Sequence, residues 1–190
     1  MDFGNSTDLD SARLQQSFER HAQPYRHDGL KVRVRHSRGA EFSGTCYYAD
    51  ACIYVNLGRQ NVYPYRLGTH IARSQSNQTH WWRETYRLII RDAYQLSLFV
   101  FLHEFYHYLV KAAGRNPRRK EAMCDRFATR VLVDHHRVRI VDAHNRNVPR
   151  ENWDFQDLDR FVAAAPKAPT TLWDFTTTTT PRDIPVTILG

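Results

Sequence analysis

From Leu96 to Val110 the chain reads LSLFVFLHEFYHYLV, and no other stretch restricts the fold as much. It is apolar on nearly every side, which is how a buried helix reads. Set into that helix are His103, Glu104 and His107. On a helical wheel of about 100° per residue, these three and Lys111 fall within an arc of about 100°. Leu96 and Val100 occupy the same arc earlier along the helix, with Phe99 beside it. The polar stripe therefore begins abruptly at His103. Because an unpaired buried charge is very costly, two imidazoles and a carboxylate placed here require partners.

Histidines four apart project from one helical face, about 5–6 Å between Cβ atoms, close enough to grip one metal ion. The glutamate beside the first is placed to act as general base toward a metal-bound water. This is the arithmetic of a zinc hydrolase, with His103 and His107 as metal ligands and Glu104 as catalytic base. The plainer alternative is a hydrogen-bonded core histidine pair with a salt-bridged glutamate. Downstream, Gly114 stops the helix as a left-handed cap, and Asn116-Pro117 opens a second one. There Glu121 and Asp125 lie i, i+4 on one face, near an apolar stripe of Phe127, Val131 and Leu132. A short turn makes the helices neighbours, so Glu121 reaches back as a third metal ligand. Asp125, one turn further, is placed to accept the spare ring N–H of a ligand histidine. A solvated carboxylate at Glu121 and a structural salt bridge at Asp125 are the competing readings.

HEFYH, thirteen intervening residues and then EAMCDRFA resembles the gluzincin pattern of HExxH plus ExxxD. More narrowly, it resembles the ImmA/IrrE group of small bacterial and phage metallopeptidases, whose second helix reads roughly E-x-x-A-[ND]-x-F-A. The resemblance implies zinc held by His103, His107 and Glu121, with Glu104 as base and Asp125 behind a ligand histidine. It covers about residues 85–133 and is fainter earlier, where Ile53-Tyr54-Val55-Asn56 resembles the strand preceding the active-site helix. The chain departs from the group at Cys124, where alanine is usual, and at Tyr106, where glycine is common. Val131-Leu132-Val133-Asp134 lacks the group's frequent proline, and no helix-turn-helix can be read.

A length of 190 residues with 42% hydrophobic content predicts one domain of moderate size, over 1–165, followed by an extended tail over 166–190. No apolar run approaches the length of a membrane span. MDFGNSTDLD lacks the basic-then-apolar pattern of a secretory signal, so a cytoplasmic location is expected. Three cysteines, Cys46, Cys52 and Cys124, show no C-x₂₋₄-C spacing and are expected as reduced thiols, not as a zinc site. A net charge of +7 attracts polyanions. The basic residues are dispersed, however, so a solvated basic face explains them better than a nucleic-acid site does.

Together these features predict an α+β, zincin-like fold: a small, mostly antiparallel sheet packed against the active-site helix and the second ligand-bearing helix. A first helix capped by Ser6 or Thr7 is expected to about His21, then a strand over 30–36 and two short strands over 41–56 around Ala49-Asp50. Residues 57–80 read as loop with a short helix near Gly68–Ser74. Trp81 and Trp82 precede a helical pattern running to Ala113, one of them in the core and the other a candidate substrate contact. The helix from Pro117 is expected to continue to about His144, with His135 and His136 at the surface or lining the cleft, and a last helix to span Trp153–Ala165. A short strand is expected at Ile184–Leu189, after the run Thr176–Thr180. An extended peptide is expected to pair with the strand near Cys52–Asn56. The implied function is a zinc-dependent metallopeptidase acting on a protein or peptide, conceivably a transcriptional regulator. The alternative is a non-catalytic, metal-stabilised protein whose basic surface meets nucleic acid or an acidic protein partner.

Overall fold

Alternation of side chains decides which face of the main sheet meets the core. In the computed structural model, which describes residues 1–163, this sheet has four strands. They are β1 (Asp2–Asn5), β2 (Lys31–His36), β3 (Phe42–Tyr47) and β4 (Cys52–Leu57), in the order β1-β2-β4-β3. Val32, Val34, Ile53 and Val55 are buried on one face. Arg33, Arg35 and Tyr54 occupy the other, where the Arg35 guanidinium lies 4.2 Å from the centre of the Tyr54 ring.

The helix α1 (Ser11–Ala22) links β1 to β2. A parallel neighbour needs such a crossover, and the main sheet is accordingly mixed. The β1–β2 and β2–β4 pairings are parallel, and only β3–β4 is antiparallel. This corrects the expectation of a mostly antiparallel sheet against the helices. Asp10, not Ser6 or Thr7, caps α1 through its Oδ1, which accepts from the Arg13 N–H at 2.8 Å. The Ser6 N–H is instead committed to the Val34 carbonyl at 2.9 Å, extending the β1 pairing.

Residues 57–80 are not a loop with a helix. They contain β5 (Tyr65–Thr69) and β6 (Ser74–Ser76); β6 forms a hairpin with β7 (Trp81–Arg83), and β5 pairs with β8 (Tyr86–Ile90). Trp81 and Trp82 are both exposed on this hairpin, so neither is core. In β8 the buried residues are Tyr86, Leu88 and Ile90, a period of two. The long helix α2 (Ala93–Ala112) therefore starts only at Asp92, whose side chain accepts from the Gln95 N–H at 2.8 Å.

The helix α3 (Glu121–His136) is also shorter than expected. Asn116 closes a local turn onto the Arg118 N–H at 2.9 Å instead of capping a helix. The left-handed backbone of Arg119 (φ 59°) delays the helix, and that of Arg137 (φ 53°) ends it. The strand β9 (Ile140–Val141) then joins the edge of β8. Trp153 is buried after a single 3₁₀ turn, and the last helix, α4, starts only at Leu158 and is described to Ala163. The expected tail over 166–190, with its threonine run and strand, lies outside the described residues.

The helix α2 packs on β3, β4, α1 and α3. Its Phe101 ring stacks on Phe18 at 4.3 Å and on Phe105 at 5.4 Å between centroids. Each fully buried Leu, Val or Phe contributes roughly 1.5–3 kcal/mol. The apolar faces thus anchor α2, which leaves the stripe at His103 free to specialise.

Candidate metal centre

The turn between α2 and α3 brings the two polar stripes together. Gly114 takes a left-handed conformation (φ 71°), and the Arg115 N–H reaches the Val110 carbonyl at 3.0 Å, a closure typical of helix C-termini. The helix α3 then returns alongside α2. His103 and His107, one turn apart, have ring centroids 5.1 Å apart. His103 Nε2 lies 3.1 Å from Glu121 Oε2, and His107 Nε2 lies 3.4 Å from Glu121 Oε1. One carboxylate thus spans both imidazoles.

The other ring nitrogens are tied behind the cluster. His103 Nδ1 is 2.9 Å from Asp125 Oδ1, and His107 Nδ1 is 3.2 Å from the Pro117 carbonyl. With Nδ1–H donated backward, each ring turns its Nε2 toward Glu121, as metal-ligating histidines are oriented. Asp125 also accepts from the His70 backbone N–H at 2.7 Å and lies 3.3 Å from His70 Nδ1. Sequence patterning has no means of finding His70, which lies beyond β5, far from the helices in the chain.

Burial works against charge on His103, yet the hydrogen bonds to Asp125 and Glu121 outweigh it and hold its pKa up near about 10. Burial pushes the Asp125 carboxyl up, but His103 and His70 pull it down to about 2. His107 is shifted down by burial and by the charge of His103. Glu121 is shifted down, chiefly by its hydrogen bond with His103. The carboxylates of Glu121 and Asp125 favour positive charge at the centre of the cluster, an environment that fits a divalent cation. Cys124 faces the same place: its Sγ and the ring nitrogens of His103 and His107 all lie within 4.8 Å of one another. These three residues form a group able to hold a metal ion. The sequence marks Cys124 as a departure from the family pattern and as a reduced thiol outside any zinc site built from the three cysteines; its i+3 spacing from Glu121 nevertheless puts both on one helical face.

Glu104 lies against β3. A Cβ at Gly44 would stand 2.6 Å from Glu104 Cγ, so glycine is what lets the carboxylate lie against the strand. Burial pushes the Glu104 carboxyl up to about 7, against the opposing pull of His103 and the Cys46 backbone N–H. A group titrating there can both take and return a proton near neutral pH. Tyr48, half-buried at the end of β3, is a further neighbour that spacing did not single out. Burial raises its phenol, and the charges of Glu104 and Glu121 add to the shift.

One expectation about the surroundings needs correction. The strand β4 has β2 on one side and β3 on the other, so the segment Cys52–Asn56 has no free edge for a peptide. Among the described residues, the free edge of this sheet beside Glu104 is β3. Of the two places expected for His135 and His136, the surface is the one they take: His135 is exposed and His136 half-buried, and both stand against His21 of α1 at centroid distances of 5.2 and 5.4 Å. All three cysteines are free thiols. Among the described residues, no helix is long and apolar enough to cross a membrane. Comparison with known proteins returned no matching family model, curated protein or solved structure.

Proposed function

We propose that this chain is a zinc-dependent metallopeptidase that hydrolyses a peptide bond in a protein or peptide substrate. The observation that carries this reading is the convergence of His103 Nε2 and His107 Nε2 on the Glu121 carboxylate, with Glu104 on the same helical stripe. In this reading His103, His107 and Glu121 hold the ion, and Asp125 and the Pro117 carbonyl orient the two imidazoles. Zinc, when bound, supplies a Lewis acid for the scissile carbonyl and a water of lowered pKa.

Glu104 takes the proton of the attacking water and passes it to the nitrogen of the departing amine. Its raised pKa, about 7, suits both halves of that transfer. The edge of β3, unpaired among the described residues, offers backbone N–H and C=O groups to an extended peptide, beside Glu104. The resemblance to the ImmA/IrrE group supports a protein substrate, with a transcriptional regulator as one candidate.

The competing reading is a metal-stabilised binding protein that meets nucleic acid or an acidic partner through its basic surface. The Glu104→Gln variant separates the two. Purified wild-type and variant protein, each loaded with zinc, are incubated with a defined peptide library, and new termini are counted by mass spectrometry. Cleavage by wild type, lost in Glu104→Gln at equal zinc content, supports the peptidase. No cleavage by either, with zinc bound, favours the binder. Absence of zinc in wild type, measured beside His103→Ala, removes both.

A further inference from the structure

The peptidase reading leaves one donor of the cluster without a task. Cys124 follows Glu121 by three residues on α3, so both side chains leave the same face of the helix. The residue is fully buried and its thiol is free. Among the described residues it hydrogen-bonds to no other side chain, although it is surrounded by groups that do. Its Sγ lies within 4.8 Å of the ring nitrogens of both His103 and His107. The Glu121 side chain, by contrast, is 58% exposed while bridging the same two rings.

Zinc sites with three protein ligands keep a fourth position for water, whereas sites with four protein ligands are closed and do no chemistry at the metal. Thiolate is a preferred zinc ligand that competes well for such a position. We propose that Cys124 is a fourth zinc ligand, whose thiolate fills the place of the catalytic water and holds the protein in a latent resting form. This inference rests on the zinc reading above and adds a regulatory state to the same site. On closure the thiol loses its proton to solvent, the zinc–sulfur bond forms and the water leaves. On opening, a water molecule replaces the sulfur, and the thiolate regains a proton from solvent. No oxidant or reductant is consumed.

The test uses the full chain loaded with Co²⁺ in place of zinc. A thiolate bound to Co²⁺ gives a near-ultraviolet charge-transfer band that imidazole and carboxylate ligands do not. The expected result is one Co²⁺ per wild-type chain with that band present. The band should be lost in Cys124→Ala and Cys124→Ser and kept in Cys46→Ser, with Co²⁺ still bound to all three variants. Stoichiometric Co²⁺ in wild type without the band overturns the thiolate ligand and leaves the three-ligand zinc site standing. Failure of wild type to take up Co²⁺, or uptake indifferent to His103→Ala, sinks the zinc reading itself. The first measurement needs no variant, so a folding defect in Cys124→Ala cannot obscure it. Where peptide cleavage is measurable, Cys124→Ser should cleave faster than wild type at equal metal content; a slower rate overturns latency.

Discussion

Two groups of histidines are attached to α3, and they could hardly be more different. At its N-terminal end, His103 and His107 of α2 meet Glu121 and Asp125, so every imidazole has a carboxylate or carbonyl to answer it. At its C-terminal end, His135 and His136 meet His21 of α1, whose Nε2 lies 3.2 Å from His136 Nε2. No carboxylate hydrogen-bonds to that second group among the described residues. The consequences for charge are opposite. His103 is held charged, with its pKa near about 10, whereas burial and the neighbouring histidines depress His21 to about 4. Residue type alone therefore says little about a histidine. Its neighbours decide whether it attracts a cation or repels one.

The largest expected effect belongs to the first group. Glu104→Gln should lower peptide cleavage by about 10²–10⁴-fold with zinc content unchanged, as loss of a general base does. Next is zinc linkage: at free zinc of about 100 times Kd, the wild type should gain about 2.7 kcal/mol in urea unfolding. His103→Ala should gain nothing, and His21→Ala should gain as much as wild type. If His21→Ala abolishes the zinc effect, the contrast between the groups is wrong. Gly44→Ala places a Cβ against the Glu104 carboxylate, and displacing it should cost about 1–3 kcal/mol by the same assay.

Acid should strain the second group. Because the folded pKa of His21 (about 4) lies below its ordinary 6.5, its contribution is fully favourable above pH 6.5 and is lost as the pH falls toward about 4. After allowance for solvent screening, the loss is on the order of 1–2 kcal/mol. Urea midpoints of wild type and His21→Asn between pH 7 and pH 4 should diverge in wild type's disfavour. In metal-free protein His103 behaves in reverse: its raised pKa stabilises below 6.5, and that contribution is lost as pH rises toward about 10. The smallest effect is also the sharpest. His136→Glu supplies the carboxylate that the second group lacks, and should recover about 0.5–1 kcal/mol at pH 5. Parallel acid curves for His136→Glu and wild type would show that the histidine contacts do not set this titration.

Much of the first group was legible in the chain because it depends on one helical period. His103 and His107 share a face whatever surrounds them, and so do Glu121, Cys124 and Asp125. The joining turn was legible in part: Gly114 stops α2 as read, but the left-handed Arg119 starts α3 later than Asn116-Pro117 suggested. The stretch Trp81–Ile90 misled because YRLII carries a period of two that an adjoining helix pattern masked. The second group was invisible, since nothing local in α1 announces that His21 will face His136.

The sequence by itself determined the spacing of the donors, because rise and rotation per residue in a helix are set by backbone geometry. It also determined the buried character of α2, because only a covered helix tolerates apolar residues on nearly every side. Tertiary structure alone decided that Cys124 joins the two imidazoles and that Asp125 answers His70 as well as His103. It alone decided that Gly44 makes room for Glu104, and that β3 rather than β4 carries the free edge. The physical reason is common to all four. They depend on contacts between segments far apart in the chain, whereas local periodicity records only which face of an element is covered and not what covers it.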